Sequence, residues 1–232
     1  MATIRSLGHA CYTLSANGKT IVFDPFLTGN PEAICTAEEL QVDAILPSHG
    51  HSDHLGDTIA LATRLRAPVI GVYELCMYCA RHGCEVEPLH IGGSRAFDFG
   101  RVKLTMATHG SAVVGEDLIE YTGPPCGFLV TMGEVTVYFA GDTGLFGDMK
   151  LIGDTTKVDV AILPIGDNFT MGPHDALLAA EMINPALVIP THYSAFDVIR
   201  QDAAAFAAEL ATMDIACRVL RPGEQIEVLP DA

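Results

Sequence analysis

Hydrophobic and polar positions fall in short runs along this chain, with turn residues between them. Cys11–Leu14 and Thr20–Phe23 read as strands, and Asn17-Gly18 lies between them. Asn-Gly tolerates the positive φ of a tight primed turn, so these runs predict a hairpin. Asp43–Leu46, stopped by Pro47, and Val69–Val72 are short apolar runs that fit buried strands. Thr58–Arg66 is rich in Ala and Leu and ends before Pro68, and Glu74–Arg81 is closed by Gly83. Both predict helices. Ala96–Thr108, turning at Gly100, predicts a hairpin, as do Gly127–Thr131 and Val135–Ala140 around Gly133-Glu134. Then come a strand at Val158–Leu163, a helix at Asp175–Ile183 stopped by Asn184-Pro185, and a strand at Ala186–Ile189. An Ala-rich helix at Ile199–Met213 and a terminal pair of strands within Arg218–Leu229 complete the pattern.

Hairpins come first and β-α alternation follows, twice over. Two sheets packed face to face, with helices outside, satisfy that order. No Gly/Ser/Pro-rich linker divides the chain, so residues 1–232 are expected to form one domain.

Charge narrows the function classes. Acids outnumber Lys and Arg by 29 to 13, and this field repels phosphate backbones and anionic lipid. A nucleic-acid coat or a polybasic membrane binder is therefore not expected. No apolar run approaches the ~20 residues of a membrane span. Met1-Ala2-Thr3-Ile4-Arg5 has no basic segment leading into an apolar one, and the seven cysteines are irregularly spaced. A cytoplasmic protein with reduced thiols is the expectation. Only 18% of residues are charged, which suits a subunit that buries surface in a homo-oligomer.

The nine histidines need a separate explanation. Three of them fall in Pro47-Ser48-His49-Gly50-His51-Ser52-Asp53-His54, just after the strand Asp43–Leu46. Residues i and i+2 of an extended turn point the same way, so His49 and His51 can grip one cation. Asp53 and His54 can grip a second as the chain bends into a helix, whose start also suits an acid. Imidazole and carboxylate suit Zn²⁺, Mn²⁺ or Fe. A solvated polar loop capped by Asp53 is the plainer alternative, but it has no need of three histidines.

This His-x-His-x-Asp-His pattern after a buried strand resembles the metallo-β-lactamase superfamily of metallohydrolases. Further motifs follow in order: Ala107-Thr108-His109-Gly110, Phe139-Ala140-Gly141-Asp142-Thr143-Gly144 and Pro190-Thr191-His192-Tyr193. A closer resemblance is to a small bacterial and archaeal branch of metal-dependent hydrolases. It rests on Asp24-Pro25-Phe26-Leu27-Thr28-Gly29-Asn30, Gly144-Leu145-Phe146-Gly147-Asp148-Met149 and Pro164–Pro173. The ascorbate-6-phosphate lactonases are more distantly similar.

The resemblance implies an α+β fold, the αββα four-layer sandwich of the metallo-β-lactamase type. It implies two divalent metal ions, Zn²⁺ first, with Mn²⁺, Ni²⁺ or Fe as alternatives. One ion takes His49, His51 and His109, the other takes Asp53, His54 and His192, and Asp142 bridges them. The activity implied is hydrolysis of a small-molecule ester, lactone or phosphoester by a metal-bridging hydroxide. Alternatives on the same fold are a nuclease-like phosphodiesterase and an iron-type redox enzyme. Asp53 is the expected catalytic group, orienting the nucleophile and taking its proton.

Other residues are weighed against plainer roles. His9, after Leu7-Gly8, is expected to contact substrate or a metal-bound water, or else to be structural. Asp24 can orient a ligand histidine from behind or start a turn. Asn168 can donate a hydrogen bond to the substrate oxyanion or be a loop residue. His174 reads as a surface or pocket-rim residue, and Tyr193 as an acid or a packing ring. Cys76 and Cys79 are spaced i, i+3 in an apolar stretch, so with Cys84 and His82 they read as packing rather than a second zinc site. Loops Thr28–Glu39 and Ser111–Pro125 are expected to set specificity, as a lid or an oligomer contact.

Overall fold

Alternation within strands assigns each face of the sheets to a different neighbour. The computed structural model describes residues 1–229. In chain order its first part contains β1 (Ala2–Gly8), β2 (Cys11–Ala16), β3 (Lys19–Phe23), β4 (Ala44–Leu46), α1 (Ser52–Leu55), α2 (Thr58–Leu65), β5 (Val69–Val72), α3 (Tyr73–Arg81) and β6 (Val86–Leu89). Next come β7 (Ser94–Phe97), β8 (Gly100–Met106), β9 (Ala112–Val114), β10 (Ile119–Tyr121), β11 (Cys126–Met132) and β12 (Val135–Phe139). The remainder is α4 (Met149–Thr155), β13 (Val160–Pro164), α5 (Pro173–Ile183), β14 (Leu187–Thr191), α6 (Ala203–Thr212) and β15 (Gln225–Val228).

One sheet has the order β15-β1-β2-β3-β4-β5-β6 and the other β14-β13-β12-β11-β8-β7. Phe128, Val130, Val137, Phe139, Val160 and Ile162 join Leu14, Ile21, Phe23 and Ile45 of the first sheet in one buried cluster. Phe23 stacks on Phe139 with ring centres 4.7 Å apart. The intervening residues Leu129, Tyr138, Ala161 and Leu163 face the other way, against Met149, Ala176, Ala180 and Phe206 of α4, α5 and α6. α2 and α3 pack on β4, β5 and β6. This is the expected α+β sandwich, with helices outside two facing sheets.

Several expectations change in detail. The Ala-rich helix starts at Ala203 rather than Ile199, because Asp202 caps it by accepting from the Ala204 and Ala205 amides. Of the terminal pair of strands only β15 forms, antiparallel to β1, while Cys217 makes an isolated bridge to Val188. Within Ser111–Pro125 the chain forms the β9–β10 hairpin. α4 and β6 were not expected. No helix of the described residues is long and apolar enough to cross a membrane. All seven cysteines are free thiols, and Cys76 and Cys79 are buried on α3.

Strand direction positions the site. β1, β3 and β4 run parallel to one another, as do β8, β12, β13 and β14. Their carboxyl ends deliver His9, Asp24, His49, His109, Asp142 and His192 in the segments immediately following.

Candidate metal centre

The short helix α1 carries Asp53 and His54, and the turn before it carries His49 and His51. Two donor groups result. His51 Nδ1 lies 2.9 Å from His49 Nε2 and 3.3 Å from His109 Nε2. Asp53 Oδ2 lies 3.6 Å from His54 Nε2 and 3.7 Å from His192 Nε2. Asp142 Oδ2 reaches both groups, at 3.2 Å from His192 Nε2, 3.3 Å from His54 Nε2 and 3.7 Å from His109 Nε2. All seven expected ligands are therefore brought together, and all belong to the metal-competent groupings of the described residues. Those groupings include no cysteine.

The donor set fits divalent metal. A tetrahedral shell with nitrogens at about 2.0–2.1 Å has edges of about 3.4 Å, the spacing these donors show. The buried His54 Nε2 and His192 Nε2 atoms make no hydrogen bond. Nitrogens left this way cost free energy unless something else claims them.

The opposite ring nitrogens explain the orientation. A carboxylate only accepts, so His54 carries its proton on Nδ1 and donates to Asp24 Oδ2 at 2.7 Å. The Ser48 hydroxyl donates to the same oxygen at 2.7 Å and lies 2.9 Å from His49 Nδ1, from which it can only accept. The Ser48 amide donates to Asp24 Oδ1 at 2.6 Å. Asp24, fully buried, thus aims two histidines from behind, and Ser48 is its intermediary. Ser48 escaped the sequence reading.

Electrostatics agree with this arrangement. Burial holds His49 well below the ordinary imidazole range. Burial also opposes a charge on His54 and His192, but the carboxylates outweigh it. Asp142 and Asp24 raise His54 well above its usual value, and Asp142 and Asp53 push His192 up to about 9. Burial likewise opposes ionisation of Asp142, yet His54 and His192 keep its carboxyl well below the usual range. Asp142 is therefore ionised and favours positive charge beside it, a demand that the protons of His54 and His192 meet and that a bound cation would meet in their place.

His9 joins this group. Its Nε2 lies 3.3 Å from Asp53 Oδ2, and its ring centre is 4.3 Å from that of His192. Phe26 and Phe196 meet its ring edge-on. His9, Asp24 and His192 all have positive φ, a strained backbone that clusters here. The cavity over the centre, about 200 Å³, is lined by His51, Asp53, His109, Asp142, Phe169 and His192. Asn168 is exposed and does not line it. Asp167 and Asn168 turn the chain at positive φ, and Phe169 reaches the cavity wall instead. His174 is exposed beside Asp175, and Tyr193 packs on the helix-side core.

Comparison with known proteins agrees with this geometry. Residues 3–192 match the model of the β-lactamase superfamily domain. A metal-dependent hydrolase of Bacillus cereus strain B4264 is 54% identical over 94% of this chain and 96% of its own. One from Pelotomaculum thermopropionicum is 53% identical over 96% of this chain and 98% of its own. Among solved structures, a metallo hydrolase from the hyperthermophilic archaeon Ignicoccus hospitalis is 32% identical with a TM-score of 0.88, covering 97% of both chains. An isothiocyanate hydrolase from Delia radicum gut bacteria shares the fold at 20% identity, with a TM-score of 0.77 over 97% of this chain and 98% of that one. The chain belongs to the β-lactamase superfamily, among its metal-dependent hydrolases.

Proposed function

We propose that the protein is a dinuclear hydrolase of small-molecule esters, lactones or phosphoesters, with Zn²⁺ the first choice of metal. The observation that carries this reading is Asp142 Oδ2, which lies within reach of histidines from both donor groups. His49, His51 and His109 would hold one ion, Asp53, His54 and His192 the other, and Asp142 both. Bound there, two divalent ions supply an ionised water and polarise the scissile oxygen.

The chain's own residues do the rest. Asp53 is the most exposed ligand of the second group, with 29% of its side chain open against 2% for His192 and none for His54. It orients the nucleophile and takes its proton. His9, 3.3 Å away with its side chain buried and outside the cavity lining, holds that carboxylate in place from behind rather than meeting substrate. Phe169 supplies an apolar part of the cavity wall. Asn168 has no part in this reading. The partners are small molecules rather than nucleic acid or membrane, in a cytoplasmic homo-oligomer. The exposed side chains of Leu118, Ile119 and Tyr121 support the assembly.

Metal analysis of the purified protein tests the reading. We expect about two transition-metal ions per chain, and loss of at least one in Asp142→Ala. A panel of ester, lactone, phosphomonoester and phosphodiester substrates then reads the bond cleaved. A wild-type protein free of transition metal overturns the proposal.

A further inference from the structure

The metal cavity has a larger neighbour. A cleft of about 430 Å³ runs from His51 and Asp53, which line both spaces, between α2, α3 and the β9–β10 hairpin. Its far walls are Leu55, Ile59, Tyr78, Val113 and Val114. The volume lies within the ~300–1,000 Å³ of small-molecule sites.

The hairpin wall is fixed to the metal loop. The Gly50 amide donates to Ser111 Oγ at 3.1 Å, and Ser111 Oγ lies 2.8 Å from Thr122 Oγ1. The fit is close, since a Cβ on Gly50 would stand 2.3 Å from Thr122 Oγ1. An Arg81–Glu120 ion pair ties the far side of the hairpin to the end of α3. The cleft is thus a standing feature beside the metal ligands, not a space made by a loose loop.

Its chemistry selects a class of occupant. No Lys or Arg lines the cleft or the metal cavity, so neither offers a phosphate clamp beyond the ligands themselves. Aliphatic and aromatic side chains form the walls away from His51 and Asp53. We infer that this cleft binds an uncharged apolar acyl group of the substrate, with the scissile carbonyl placed at His51 and Asp53. This rests on the hydrolase reading and narrows it to carboxylic esters and lactones with an apolar acyl chain. In that reaction water adds across the acyl C–O bond. Its oxygen goes to the acyl carbon, one proton goes to the leaving alkoxide, and the other goes to solvent.

Binding of straight-chain carboxylates from acetate to octanoate, measured by calorimetry on the metal-loaded protein, tests this inference. Affinity should rise roughly three- to fourfold per methylene until the cleft is filled. Val114 is 69% exposed, so Val114→Asp leaves the core intact. It should flatten the chain-length dependence, and Ile59→Asp should do the same from the opposite wall. Equal affinity along the series in the wild type overturns the inference. An unchanged slope in both variants does too. A cleft closed by self-association, seen as a dimer that Val114→Asp dissociates, overturns it as well. The titration reads binding rather than turnover. Failure to hydrolyse any ester or lactone would therefore count against the proposed function and leave the chain-length result readable.

Discussion

Asp24 shows how far one side chain reaches into this centre. Its carboxylate accepts from the Ser48 amide and hydroxyl and from His54, and all three contacts are buried. In Asp24→Asn one oxygen becomes an NH₂ group facing donors. Outer-shell changes of this kind cost about 10–100-fold in metal affinity. We expect a loss of that size, read by competition with a chromophoric chelator, and unchanged affinity would remove Asp24 from the machinery. Four of the candidate ligands were legible in sequence because three histidines and an aspartate crowd into His49–His54, whereas His109, Asp142 and His192 are isolated along the chain and were located only through the family resemblance. Asp24 was half legible, as an acid after a strand. Ser48 was not, because serine is ordinary in loops and only its two contacts distinguish it. The positive φ values of His9, Asp24 and His192 were invisible too, since tertiary contacts impose them.

Elements with strong local signals were read correctly, and those stabilised by tertiary contacts were missed. The hairpin around Asn17-Gly18 and the runs at β4, β5, β12 and α5 declare themselves by turn chemistry and period. α4 does not: it is seven residues long, lacks a side-chain cap and carries Gly153, which costs about 1 kcal/mol relative to Ala in a helix. The structure supplies the reason for that glycine. A Cβ at Gly153 would lie 2.5 Å from the Ile183 carbonyl oxygen and 2.6 Å from that of Met182, at the end of α5. Close approach of α4 to α5 is what stabilises α4. Gly153→Ala should therefore destabilise the protein by about 1–3 kcal/mol in urea unfolding, by overpacking. Metal content should stay the same, because this crossing is on the helix side of the second sheet. Stability equal to the wild type would refute the packing account. β6 was hidden by Pro88, which an edge strand tolerates and a central one does not.

Across the whole molecule, charge decides between small substrates and polymers. The formal net charge is −16, and much of the scarce positive charge is already paired at the surface. Lys19 sits between Asp43 and Asp98, and Arg81, Arg95, Lys150 and Arg200 face Glu120, Glu87, Asp154 and Asp197. Such exposed pairs add little stability, but they remove free cations that could track a phosphate backbone. Two divalent ions held by Asp53 and Asp142 would leave a centre that is positive only over a few ångströms, inside an acidic shell. A field screened over about 8 Å at physiological salt still repels a polyanion before it meets that centre. Single- and double-stranded DNA should therefore show no binding to the metal-loaded protein at low salt, where electrostatic attraction is strongest, in an anisotropy titration. A neutral ester should be turned over at a rate that salt barely changes. DNA binding that weakens steeply as salt is added would reveal a basic track and bring back the nuclease alternative. Its absence would leave the small apolar ester, which crosses the acidic shell without charge, as the substrate that fits both the field and the cleft.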